Sequence, residues 1–137
     1  MSAEANPPET APLLKIGEVC DRVGLSLRTV RYYEEVGLFA PTGRSPGGFR
    51  LYSEADVQRL RTLKGMKPFG LSLSEIRELM ALLDLAQEDG ADPGDAPARL
   101  RGYTARAEDR VRQLEAHMAE VQRLRERILR AVEQLEA

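Results

Sequence analysis

The sequence predicts a mainly α-helical protein in which a small head of short helices, with a β wing, is followed by one long helix. Three observations predict it. Between positions 16 and 83 apolar residues recur at helical spacing in short blocks, each closed by Gly or Pro. A Pro-, Gly- and Ser-rich stretch in the middle leads into the alternating run Phe49-Arg50-Leu51-Tyr52. From about Pro97 to Ala137 the apolar positions follow a seven-residue repeat.

The first block places Ile16, Val19, Cys20 and Val23 on one helical stripe, with Gly24 as the stop signal. Cys20 reads as a small core residue. Ser26 is a suitable N-cap for a second helix, which Gly37 ends. Leu27 and Val30 of that helix are expected to face the first. Two short helices joined by a Gly-containing turn form a helix-turn-helix, whose second helix enters the major groove of DNA. Arg28 and Arg31 lie one turn apart and share an outward face suited to phosphates and guanine edges. Tyr32 and Tyr33 beside them can pack a ring on the core and offer a hydroxyl to phosphate.

In "FRLY" the alternation sends Phe49 and Leu51 one way and Arg50 and Tyr52 the other. Arg44, Arg50 and Tyr52 are expected on the exposed face of the wing, as a second phosphate-binding set. Ser53 and Asp56 approximate a capping box. They open a helix with Val57, Leu60, Leu63 and Met66 inward and Arg61, Lys64 and Lys67 elsewhere; Pro68 is expected to stop it. Ser72 and Glu75 cap the next helix, with Ile76, Leu79, Leu82 and Leu83 on one face. The acidic stretch 85–97 reads as a linker.

Taking Leu100 as position d, the a and d positions of the last helix are Leu100, Thr104, Ala107, Val111, Leu114, Met118, Val121, Arg125, Ile128, Val132 and Leu135. Nine of these eleven are apolar and most neighbours are charged, which is the stripe of a coiled coil and predicts self-association.

Composition narrows the function. The net charge of −2 is uninformative, but its distribution is not. Positions 15–67 carry ten basic and six acidic side chains, and positions 68–137 carry ten and fourteen. A basic half suits an anion-binding module. One cysteine, Cys20, and one histidine, His117, leave no internal disulfide and no multi-cysteine metal site. They fall in different modules, which disfavours a Cys–His nucleophile pair. No phosphate-cradling glycine motif is present, and no enzyme is expected. No apolar run approaches the length of a membrane span. The first thirteen residues, with three prolines and two glutamates, read as a disordered tail and not as a signal peptide, so the protein is expected in the cytoplasm.

The segments "IGEVCDRVGLSLRTVRYYEEVGLFAP", "GGFRLYSEADVQRL" and "GLSLSEIRELM" closely resemble the MerR family of bacterial transcription regulators, in order and in spacing, over about residues 14–83. The long last helix is similar to that family's dimerisation helix. The resemblance implies a winged helix-turn-helix DNA-binding domain at 14–84, after a tail at 1–13. A linker at 85–97 and an antiparallel coiled-coil dimerisation helix at 98–137 follow. The homodimer would read a palindromic operator in double-stranded promoter DNA and distort it, acting indirectly on RNA polymerase. Carried over by position, the DNA-facing set is Ser26, Arg28, Thr29, Arg31, Tyr32 and Tyr33 on the recognition helix, Arg44, Gly48, Arg50 and Tyr52 on the wing, and Lys64 and Lys67 beyond it. The dimer seam is Val111, Leu114, Met118, Val121, Ile128, Val132 and Leu135.

Three positions depart from the family pattern. Lys15 stands where a capping Thr or Ser is usual, Pro68 interrupts the helix after the wing, and the sensor cysteines of metal-responsive and iron–sulfur members have no counterpart here. No metal or cofactor is therefore expected, and the effector stays open. Two other readings are an effector-independent architectural or developmental DNA-binding protein and a coiled-coil protein-interaction module.

Overall fold

The computed structural model describes residues 12–137. The tail expected at 1–13 lies outside the described residues except for its last two positions. The chain divides into two compact units, one ending at Met80 and one running from Ala81 to Ala137.

In the first unit, α1 (Ile16–Val23) buries Val19 and Val23, as its stripe requires. Lys15 occupies the N-cap and offers no side-chain cap; instead the Glu18 carboxylate accepts the Lys15 backbone N–H at 2.9 Å. Gly24 ends α1 at φ 72°, a left-handed conformation that suits glycine. A three-residue turn leads into α2 (Leu27–Glu35), where Ser26 Oγ accepts the Thr29 N–H at 3.1 Å. The helix closes with Gly37 N–H on the Glu34 carbonyl and Leu38 N–H on the Tyr33 carbonyl, a Schellman motif centred on Gly37 at φ 80°. Val30 and Tyr33 are buried, but Leu27 is 42% exposed, so it does not pack on α1 as expected.

The wing is a three-stranded antiparallel sheet in the order β1 (Leu14–Lys15), β3 (Arg50–Tyr52), β2 (Gly43–Arg44). Register pairs Leu14 with Tyr52 and Arg44 with Arg50. Between β2 and β3 the chain turns over Ser45–Gly48, closed by the Gly48 N–H on the Ser45 carbonyl and the Ser45 N–H on the Phe49 carbonyl. The alternation holds, but its phase is reversed: Tyr52 is fully buried and Phe49 is 74% exposed. Tyr52 stacks on Phe39, with ring centroids 5.8 Å apart. Phe39 follows α2, so the inward partner of β3 comes from a distant segment and takes the larger, hydroxyl-bearing ring.

Helix α3 (Glu54–Phe69) opens with a reciprocal capping box: Ser53 N–H donates to Asp56 Oδ2 at 2.9 Å, and Asp56 N–H to Ser53 Oγ at 3.2 Å. Val57, Leu60, Leu63 and Met66 are all buried. Each such side chain stabilises the fold by about 1.5–3 kcal/mol. Pro68 does not stop α3; it lies inside the last turn, and Gly70 at φ 82° ends the helix. Near a helix terminus proline removes one hydrogen bond without disrupting a following turn. The start of α3 is tied to α1 by a paired contact from the Arg22 guanidinium to the Glu54 carboxylate at 2.5 and 2.9 Å. That guanidinium holds the Glu54 carboxyl below its ordinary range. Helix α4 (Leu73–Ala86) is capped by Ser72 and Glu75 as expected, with Leu79, Met80 and Leu82 buried. Leu83, expected on that face, is exposed.

In the second unit, α5 runs from Ala96 to Glu136. Ala96 and Tyr103 are buried, and the Arg106 guanidinium sits 5.5 Å from the Tyr103 ring centroid. From Val111 to the end, Ala119 is the one residue that is not exposed. Among the described residues no helix is long and apolar enough to cross a membrane, and no group of three His, Cys, Asp or Glu side chains is arranged to hold a metal.

Candidate nucleic-acid interface

Helix α2 has two sides. Val30 and Tyr33 point into the core, and Leu27, Arg28, Arg31, Tyr32 and Glu35 line one exposed surface. The spacing of Arg28, Arg31 and Glu35 sets this, since residues three and four apart share a helical face. Both guanidinium groups are exposed, and no hydrogen bond or ion pair engages them among the described residues. Free, exposed cations on one helical face are available to an external anion.

Two grooves flank this helix. The first, of about 650 Å³, brings Arg31 together with Lys15 and Ile16 at the start of α1 and with Ser45, Gly48, Phe49 and Arg50 of the wing. The second, of about 450 Å³, brings Arg28, Thr29, Tyr32 and Tyr33 together with Lys67, Leu71 and Ile76. Cations therefore stand on both sides of α2: Lys15 and Arg50 toward the wing, and Lys67 toward α3 and α4.

Within this frame the sequence-derived residues fall into three groups. Arg28, Arg31, Tyr32 and Lys67 are exposed along the grooves. Ser26, Thr29, Arg44 and Gly48 shape the backbone. Ser26 and Thr29 hydroxyls bond each other at 3.0 Å; Arg44 Nη1 donates to the Gly48 carbonyl at 3.1 Å, bracing the wing turn; and Gly48 adopts φ 87°. Tyr33 and Tyr52 are buried, while Lys64 is exposed but already bonded within the fold. Burial, then the neighbouring Tyr32, raises the Tyr33 phenol. Lys64 Nζ donates to the Val23 carbonyl at 2.7 Å, closing the C-terminus of α1, and lines neither groove. An added Cβ at Gly24 would stand 2.7 Å from the mobile end of Lys64, which can give way, so it is the φ of 72° that calls for glycine there.

Arg50 is half-buried, and its Nε donates to Glu34 Oε2 at 2.7 Å; the Tyr52 hydroxyl lies 3.5 Å from Glu34 Oε1. Burial, and next the Glu34 carboxylate, pushes the Tyr52 phenol up to about 12. A raised folded-state value favours the protonated phenol, so this contribution is complete below the unfolded value near pH 10 and is lost as pH rises toward 12. Tyr52→Phe should remove about 2 kcal/mol of the stability decline over that window. Urea unfolding of both proteins at about pH 9 and about pH 11.5 reads the difference; parallel declines would mean that Tyr52 is solvated.

Lys15, Glu34, Glu35 and Leu27 also border this surface and were not singled out as interface residues from sequence. For Lys15 the departure from a capping residue was the available signal. For the adjacent Glu34 and Glu35 the sequence suggests that one pairs with an arginine or joins the helix's outer face; Glu34 pairs with Arg50, which lies on another element.

A two-helix motif with a free arginine face, flanked by a small antiparallel wing, defines the winged helix-turn-helix class of DNA-binding domain. The chain matches the MerR HTH family regulatory protein profile over residues 14–83 and the MerR DNA-binding profile over residues 57–131, and it belongs to the MerR family. It is similar to the mercuric resistance operon regulatory protein of Bacillus cereus, 40% identical over 70 residues, which cover 51% of this chain and 53% of that one. The chain thus spans about half the length of that relative. An uncharacterised helix-turn-helix transcriptional regulator of Pseudomonas aeruginosa is 32% identical over 120 residues, covering 88% of this chain and 83% of its own. Among solved structures, HiNmlR, a MerR family regulator lacking the sensor domain and bound to promoter DNA, shares the fold. Its TM-score is 0.62 at 21% identity, over 79% of this chain and 80% of that one.

Proposed function

We propose that the chain is a sequence-specific transcriptional regulator that binds double-stranded promoter DNA as a homodimer. The observation that carries this is the unengaged Arg28 and Arg31 pair on the outer face of α2, with Lys15, Arg50 and Lys67 along the two flanking grooves. In this reading α2 enters the major groove, where arginine reads guanine O6 and N7. The wing and Lys67 grip phosphates on either side. Residues 14–84 form the DNA-binding domain, 85–97 the linker, and 98–137 the dimerisation helix.

The exposed stripe of Val111, Leu114, Met118, Val121, Ile128, Val132 and Leu135 supports the dimer. An apolar row on a charged helix is stable in water when a second copy covers it. Antiparallel pairing of two such helices presents the two recognition helices to one palindrome. The chain acts as a binding protein and not as an enzyme, with promoter distortion as its output to RNA polymerase, and it works in the cytoplasm. The free arginine face on a helix-turn-helix favours this over a coiled-coil interaction module, which would have no use for it.

A salt titration tests the reading. Log affinity for duplex DNA should fall linearly with log salt, with a slope of about −0.9 per phosphate contacted and several contacts per dimer. A slope near zero would contradict it.

A further inference from the structure

Glu34 is an acidic residue placed where DNA is expected. It lies one turn from Arg31 on α2, and its side chain is 17% exposed. A carboxylate beside a phosphate-binding surface weakens binding unless it is neutralised. Its neighbours show how that is done. Arg50 and Tyr52 are alternate residues on β3 and therefore share the face turned toward α2. Glu34 takes Arg50 by Nε at 2.7 Å and leaves both Nη groups without a partner among the described residues. Arg31, Glu34, Glu35 and Arg50 line one groove, so the Arg50 side chain and Arg31 border the same space.

We propose that Glu34 is a positioning residue: by holding Arg50 at Nε it turns the Nη edge outward to a DNA phosphate and fixes the wing against the recognition helix. The proposal rests on the DNA-binding reading above. Arginine meets phosphate through a pair of parallel N–H groups, and a guanidinium already oriented loses less freedom in doing so. A long, free arginine would have to be ordered on binding. The ion pair is partly buried, with the Arg50 and Glu34 side chains 35% and 17% exposed, and it joins α2 to β3. In the bound state it links base reading by α2 to phosphate contact by the wing.

The experiment measures affinity for an operator selected from random duplexes, as a function of salt. The proteins are the full-length wild type, Glu34→Ala, Glu34→Gln, Arg50→Ala and Arg50→Lys. Loss of one phosphate contact per subunit flattens the log–log slope by about two per dimer. Between 50 and 200 mM salt the wild type should then lose about 12-fold more affinity than Glu34→Ala or Arg50→Ala. Glu34→Gln keeps an acceptor oxygen for Nε and should recover part of the slope. Arg50→Lys keeps the charge but has no Nε to be held, and should behave as Arg50→Ala; this arm reads the proposal even if Glu34→Ala does not fold. Glu34→Ala that binds more tightly at every salt concentration, or keeps the wild-type slope, overturns the proposal, and so does a wild-type slope in Arg50→Lys. Duplex binding by the wild type without salt dependence would instead overturn the DNA-binding reading itself.

Discussion

Leu114→Asp should convert the dimer to monomers and abolish operator binding at concentrations where the wild type is saturated. Leu114 is exposed in the single chain and belongs to the apolar row. In a paired coil it becomes a knob covered by the partner. The substitution places one carboxylate from each subunit in that seam without a counter-ion, at a cost of several kcal/mol for each buried charge. Every 1.4 kcal/mol weakens association about tenfold, so two such charges remove the dimer at micromolar concentration. Operator affinity follows because two half-sites on one dimer bind with a high effective concentration that monomers lack. Sedimentation equilibrium with circular dichroism reads the result. A helical, stable dimer after the change would mean that the heptad register is wrong.

Arg31→Ala should weaken binding to the selected operator by about 1–3 kcal/mol per half-site while weakening binding to random DNA much less. Arg31 is exposed, unengaged, and central on α2 between the wing groove and Arg28. A base contact is lost only where the base is present, whereas a phosphate contact is lost on any sequence. Competition binding against operator and random duplexes separates the two. Equal losses would assign Arg31 to phosphate.

The helix-turn-helix was legible because its signals are local. The stripe of Val19 and Val23, the Ser26 cap, the left-handed glycines at positions 24 and 37 and the capping boxes at Ser53 and Ser72 depend on neighbours within four residues. What stayed hidden depends on distant partners. β1 is two residues long and exists because β3 pairs with it, so no periodicity announces it. The alternation of "FRLY" defines two faces but not which one meets the core; both carry an aromatic ring, and Phe39 and Glu34 chose Tyr52. The bond from Lys64 to the Val23 carbonyl was hidden because the two residues are 41 positions apart. The arginines of α2 were readable because nothing in the fold claims them.

The most direct test of the central claim is selection of duplexes from a randomised library by the purified full-length protein, followed by sequencing. A dimer that reads DNA through two α2 helices should enrich inverted repeats whose half-site centres lie about one helical turn, 34–36 Å, apart. Enrichment of single half-sites, or of no sequence at all, would contradict the account.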